Sequence, residues 1–154
     1  MRKPLSIVTL IITTALLAAC GGGAVYDHYE HTPLSGWEKN DTLTFDIPPL
    51  RYTALYREEI GMRINGDFPF TSIQLIVEQK FLPSRKVRRD TMNCRLIDND
   101  GTVRGKGVSC YQYLFHIDDM EIEKGDSVRI NIRHNMKREI MPGISDVGIK
   151  LTRR

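Results

Sequence analysis

From Leu43 onward the chain alternates apolar and polar positions with a period of two. Successive side chains on a strand point to opposite faces, so this period marks strands with one face buried. Leu43, Phe45 and Ile47 open the pattern, and Pro48-Pro49 ends its first segment. Residues 52–64 carry Leu55, Ile60, Met62 and Ile64 among polar residues, which predicts one long or bulged strand. Asn65-Gly66-Asp67 is a turn signal. The clearest strand comes next, with Ile73, Leu75, Val77, Gln79 and Phe81 sharing one face. Residues 87–97 place Met92, Cys94 and Leu96 together, and Asp98-Asn99-Asp100-Gly101 turns the chain. Residues 109–117 set Tyr111, Tyr113, Phe115 and Ile117 against Cys110, Gln112 and Leu114. After the turn Glu123-Lys124-Gly125-Asp126, the sets Val128, Ile130, Ile132, His134 and then Val147, Ile149, Leu151 complete the series.

No long stretch has helical period, and no segment repeats; residues 136–141 predict at most one helical turn before Pro142-Gly143. Seven to nine short strands separated by turn signals predict an all-β fold, an antiparallel β-sandwich or jelly roll, over residues 41–154. Before it, Val25 to Lys39 is aromatic and polar, contains Pro33 and Gly36, and shows no period. That stretch is expected to be an irregular lead-in within residues 20–40.

The first nineteen residues have a different texture. Arg2 and Lys3 precede an apolar run, Leu5 to Ala19, that ends in Leu17-Ala18-Ala19-Cys20. At about fifteen residues the run is short of the roughly twenty a membrane-spanning helix needs. A positive start, an apolar middle and small residues at the end make a secretory signal peptide. A cysteine directly after them makes it resemble a bacterial lipoprotein signal, with Cys20 as the lipid attachment residue. The expected product begins at Cys20 and carries a covalent diacylglycerol and an N-acyl chain there, with no other cofactor. Two acyl signals hold a protein stably on a bilayer where one chain is marginal. Gly21-Gly22-Gly23-Ala24 then reads as a flexible tether. No Asp follows Cys20 directly and no acidic run follows it, so the expected location is the periplasmic face of the outer membrane.

Processing changes the charge. The full chain has 22 Lys and Arg against 19 Asp and Glu; loss of Arg2 and Lys3 leaves 20 against 19. A nearly neutral domain argues against a nucleic-acid partner, which calls for a concentrated basic face. One dense basic run remains, Lys80 to Arg89, around the turn signal Pro83-Ser84. It reads either as a solvated hairpin tip or as a contact for lipid headgroups, lipopolysaccharide or an acidic partner. The 135 residues after processing suffice for one domain with a real core. Besides Cys20 the chain has Cys94 and Cys110. An oxidising envelope permits a cross-strand disulfide between them; two separate buried thiols are the alternative.

Candidate chemistry is sparse. The chain has no Gly-x-Ser-x-Gly elbow, no phosphate-binding Gly-rich loop and no His-Glu-x-x-His. Asp98 to Gly101 has Leu96 where a calcium loop needs its first acid, so it reads as a turn. His28 and His31, with Asp27 and Glu30, are of metal-ligand type but read more simply as polar surface. His134 ends an alternating strand and reads as a hydrogen-bonded strand-end residue. Asp118, Asp119 and Glu121 are carboxylates of the kind glycosidases pair, expected here in a solvated turn. Trp37, Tyr111 and Tyr113 have the faces to stack on sugars, or to fill a sandwich core. No catalytic or metal-binding set emerges, and the reading is a non-enzymatic binding or structural component, with a glycan-binding or glycan-processing lipoprotein as the alternative.

Several ordered motifs carry a family resemblance. His31-Thr32-Pro33-Leu34 with Gly36-Trp37, and Asp41 through Ile47, form the first. Phe68-Pro69-Phe70 before the strand 73–79, and Asp90-Thr91 before Cys94, follow. Gly101, Gly105 and Gly107 precede Tyr111-Gln112-Tyr113. The most specific are Ile132-Arg133-His134-Asn135-Met136 and Pro142-Gly143-Ile144-Ser145-Asp146-Val147-Gly148-Ile149. Together they resemble the GldH family of gliding-motility lipoproteins of Bacteroidota. The resemblance implies an outer-membrane lipoprotein whose partners are envelope proteins of gliding and type IX secretion machinery, and it supplies no catalytic residue.

Overall fold

The computed structural model describes residues 23–154; the expected signal segment and the expected attachment residue Cys20 lie outside the described residues. Ten strands appear in chain order: β1 (Ala24–His31), β2 (Trp37–Glu38), β3 (Leu43–Ile47), β4 (Ala54–Asn65) and β5 (Ser72–Leu82) come first. Then follow β6 (Val87–Arg95), β7 (Cys110–Ile122), β8 (Ser127–His134), β9 (Ile140–Met141) and β10 (Ile144–Arg153). All named pairs are antiparallel.

One four-stranded sheet has the order β1-β10-β4-β7, the other β3-β8-β5-β6, and β2 with β9 forms a small separate pair. With that pair set aside, the eight strands cross between the two sheets at every connection except the β5–β6 hairpin, in the double Greek-key order of a jelly roll. The sandwich expectation therefore holds, in its jelly-roll form. The inward residues are those that the alternation selects. Ile60, Met62, Ile73, Leu75, Ile130, Ile132, Val147 and Ile149 have essentially no exposed surface. Each such side chain contributes about 1.5–3 kcal/mol by leaving water.

Two expectations fail. The lead-in is not irregular: residues 24–31 form β1, an edge strand paired with β10 from Ala24↔Thr152 to His31↔Asp146. Its polar side chains are tolerated because an edge strand buries little of itself. Tyr29 lies flat over Gly148, where an added Cβ would meet its ring at 2.7 Å, and over Gly61 beyond it. The absence of side chains at these two glycines makes the seat for the ring. Nor do residues 136–141 form a helical turn. Ile140 and Met141 instead pair with Trp37 and Glu38, and this pair buries Trp37 completely. The Trp37 indole Nε1 donates to the Asp41 carbonyl at 3.0 Å.

The strand predicted over residues 52–64 is one long strand, β4, and the bulge lies in its partner β7. The register between β4 and β7 slips at Glu58/Glu59, where Glu58 faces Asp118 and Glu59 faces His116, leaving Ile117 unpaired. The extra residue shifts the phase of β7. Tyr111, Tyr113, Phe115 and Ile117 turn inward before it, and Met120 and Ile122 after it.

Candidate functional site

Two buried polar side chains interrupt the apolar interior near the β6–β7 edge, and three charged ones lie beside them towards solvent. Glu58 and Gln79 hold inward positions on facing sheets, in line with Tyr56, Ile60 and Met62 on β4 and with Ile73, Leu75 and Val77 on β5. Both are buried, and the Gln79 side-chain amide donates to Glu58 Oε2. Glu58 Oε1 and Gln79 Oε1 have no partner. Burial pushes the Glu58 carboxyl up to about 8, against the smaller opposing pull of the Gln79 hydrogen bond and of Arg88. Glu58 is therefore a neutral acid at pH 7, and its proton supplies the donor that the two orphaned oxygens need. A charged carboxylate there would leave both oxygens unsatisfied in an apolar interior, the costlier state.

Arg88 closes this cluster towards solvent. It pairs with Asp90 at 2.8 Å and with Asp118, which the β7 bulge turns to the same side as Glu58. Hydrogen bonding from Arg88 holds the Asp118 carboxyl below its usual range. Glu58 itself has no exposed surface. The cluster thus ties the two sheets together and presents no open acid to a substrate.

The two ends of the sandwich differ more than its faces. At one end lie the start of β1, the end of β10, and the 48–53, 83–86 and 123–126 turns. The Arg153 backbone N–H donates to Gly23 O at 2.9 Å, so the chain enters the fold here. The turns brace each other: Leu50 N–H donates to Asp126 O at 2.9 Å, Gly125 N–H to Leu50 O at 2.8 Å, and Lys124 N–H to Thr53 Oγ1 at 2.9 Å. The Tyr56 hydroxyl donates to Tyr52 O at 2.6 Å, and the Arg153 guanidinium lies 4.7 Å from the Tyr52 ring centre. Pro48, Pro49, Leu50, Tyr52, Tyr56 and Arg153 line a cleft of about 440 Å³. The opposite end carries the long β6–β7 connection and the loops before β2, β5 and β9, with Leu34, Phe70, Val108 and Ile140 exposed.

The residues singled out in the sequence scatter. Cys94 is buried on the inner face of β6, whereas Cys110 is exposed on the outer face of β7; both thiols are free. Strand parity points Cys94 into the core and Cys110 out to solvent, which corrects the disulfide expectation; the thiols are separate, with Cys94 alone buried. Burial pushes the Cys94 thiol up to about 12. His28 and His31, three apart on a strand, fall on opposite faces. His28 meets Glu30 at 2.9 Å and His31 meets Asp146. Among the described residues no three His, Cys, Asp or Glu converge as metal ligands. His134 is buried, its Nε2 is 3.1 Å from Trp37 O, and burial lowers its pKa.

Asp118, Asp119 and Glu121 are not in a turn but in β7. Asp118 is committed to Arg88, and Asp119 to Arg154 at 2.9 Å. Trp37 and Tyr113 are buried and Tyr111 half-buried against the core, so none of the three offers a free face for a sugar. Asp98 accepts from the Gly101 N–H through its backbone oxygen at 3.0 Å, as a turn does. The 83–86 turn sits at the tip of the β5–β6 hairpin. Glu58 escaped the sequence reading, and Gln79 was placed on its strand's apolar face without being singled out, although both lie in phase with apolar columns.

Comparisons with known proteins agree on one kinship. The family model described as GldH lipoprotein matches residues 24–151. The gliding motility lipoprotein GldH of Flavobacterium johnsoniae is 30% identical over 152 residues, covering 94% of each chain. A gliding motility lipoprotein GldH homolog of Christiangramia forsetii is 26% identical, covering 98% of this chain and 97% of its own. Among solved structures, Eiger TNF from S. frugiperda overlaps 83% of this chain and 91% of its own at a TM-score of 0.38 and 10% identity, too slight a likeness to argue from.

Proposed function

The chain belongs to the GldH lipoprotein family, and we propose that it serves gliding machinery as an anchored binding module rather than as an enzyme. Cys20 carries the acyl chains, the periplasmic face of the outer membrane holds them, and the jelly roll is displayed from that surface. The observation that carries this reading is the polarity of the fold. The chain enters at one end through Gly23, bonded to Arg153, and the exposed Leu34, Phe70 and Val108 lie at the other. Strand β5 has eleven residues, which at about 3.4 Å each separates the two ends by roughly 37 Å. The far end then faces away from the bilayer and is free to meet an envelope protein.

Attachment contributes to the function. Confinement near a membrane complex raises effective concentration, so a modest interface is enough. The far-end loops also supply several of the motifs that carry the family likeness, at Thr32 to Gly36, Phe68 to Phe70 and Pro142-Gly143. The glycan alternative loses its support, because Trp37 and Tyr113 are buried in the core and Asp118 and Asp119 are held in ion pairs. Deleting the gene in cells that make the protein tests the reading. Surface movement should be lost, wild-type protein should restore it, and Cys20→Ala should not. Unchanged movement and secretion after deletion would end this reading.

A further inference from the structure

The charge of the molecule is concentrated at the end where the chain enters. The turns 48–53, 83–86 and 123–126, with the last two residues, carry Arg51, Arg85, Lys86, Lys124, Arg153 and Arg154. The only acids in those segments are Glu123 and Asp126, with Glu121 just before them at the end of β7. The opposite end carries five basic residues in its loops against five acids. Among the described residues, Arg51, Arg85, Lys86, Lys124 and Arg153 form no ion pair. Interleaved with them are Val25, Tyr52, Leu55, Leu82 and Val87, all exposed.

The length of chain outside the fold decides what meets this end. Three residues lead from Cys20 to Gly23, which is held by Arg153. Fully extended they span at most about 11 Å. An acylated Cys20 therefore holds the cationic turns close to the headgroups, within reach of the field that decays over about 8 Å at physiological salt. Basic side chains with a tyrosine and aliphatic residues among them suit such an interface, where an amphipathic ring keeps one edge apolar and one wet. The 48–53 and 123–126 turns brace each other, so little ordering cost attends contact through them.

We propose that this end is a membrane-contact face, resting on anionic phospholipid headgroups of the leaflet that holds the Cys20 acyl chains. The domain stands end-on rather than swinging on its tether, and its far loops point away from the bilayer. The inference rests on the acylation of Cys20 proposed above. Each cation near an anionic surface favours the bound orientation roughly fivefold, so several together fix it.

The test uses the mature lipidated protein with Cys110→Ser, spin-labelled at Ser84→Cys or at Leu34→Cys. It is reconstituted in vesicles of phosphatidylethanolamine with phosphatidylglycerol, and separately in phosphatidylcholine alone. In phosphatidylglycerol vesicles the label at position 84 should be shielded from a water-soluble nickel relaxant, and the label at position 34 should not. Arg51→Glu with Lys124→Glu, or high salt, should release the shielding. Equal exposure of both labels, or shielding indifferent to both treatments, overturns the proposal. Retention on phosphatidylcholine vesicles reports the anchor separately: if the protein washes off these, the Cys20 reading fails, and the label at position 84 in phosphatidylglycerol vesicles still decides the contact.

Discussion

Replacing Glu58 with glutamine should stabilise the fold at neutral and alkaline pH and flatten its dependence on pH. The ordinary value of a glutamate carboxyl is 4.5, and burial raises Glu58 to about 8. Between these values the folded chain keeps a proton that the unfolded chain has released. Stability therefore falls as pH rises, by about 1.4 kcal/mol per pH unit. The loss begins near pH 4.5 and is complete above pH 8. It amounts to about 3 kcal/mol at pH 7 and about 5 kcal/mol at its limit. Glutamine has nearly the same shape and cannot ionise. Its oxygen can accept from the Gln79 amide while its amide nitrogen takes the place of the unpartnered Glu58 oxygen and donates to Gln79 Oε1 at every pH. Urea unfolding of wild type and Glu58→Gln at pH 5 to 9 measures the effect. The two midpoints should nearly coincide at pH 5 and diverge steadily towards pH 8, with the variant higher. Parallel curves, or a variant weaker at every pH, would show that Glu58 is not held neutral.

Further expectations follow from single contacts. Gly148→Ala drives a methyl into the Tyr29 ring and the His28 carbonyl, at 2.7 and 2.8 Å; it should cost about 1–3 kcal/mol, read as a drop in melting temperature. Cys94 and Cys110 should behave differently towards a thiol reagent. One equivalent, at Cys110, should react in the native protein, and Cys94 should react only on unfolding, whereas no native reaction would restore the disulfide reading. His134 is held neutral by burial, so acidification below about 6.5 should destabilise the fold as the unfolded chain binds a proton there. His134→Gln should remove that part of the acid-side slope in the same urea series. Leu34→Asp, on a fully exposed side chain, should leave melting unchanged and impair surface movement.

The strands that cross the core were readable because burial on one face imposes the period of two. Even the bulge leaves a trace: the inward set Tyr111, Tyr113, Phe115, Ile117 is followed by Met120 and Ile122, one residue out of phase. Glu58 and Gln79 were legible by the same rule, as polar residues in columns otherwise apolar, though only the pairing of sheets shows that they face each other. Strand β1 was hidden because an edge strand needs no alternation; its backbone bonds to β10 and its Tyr29 rests on two glycines from other strands. The two-residue pair that buries Trp37 brings together positions about a hundred residues apart, which no local pattern reports. The cationic end was visible only in part, as the run from Lys80 to Arg89. Its other members come from three further segments that the jelly-roll winding gathers at the point of chain entry.

The polarity of the anchored domain is tested most directly by site-specific photo-crosslinking in intact cells, with the probe at Leu34 in one strain and at Ser84 in another. The Leu34 probe should capture a protein of the gliding machinery, and the Ser84 probe should capture phospholipid. Lipid at Leu34, or the same protein partner at both positions, would contradict a domain that stands on the membrane at one end and binds at the other.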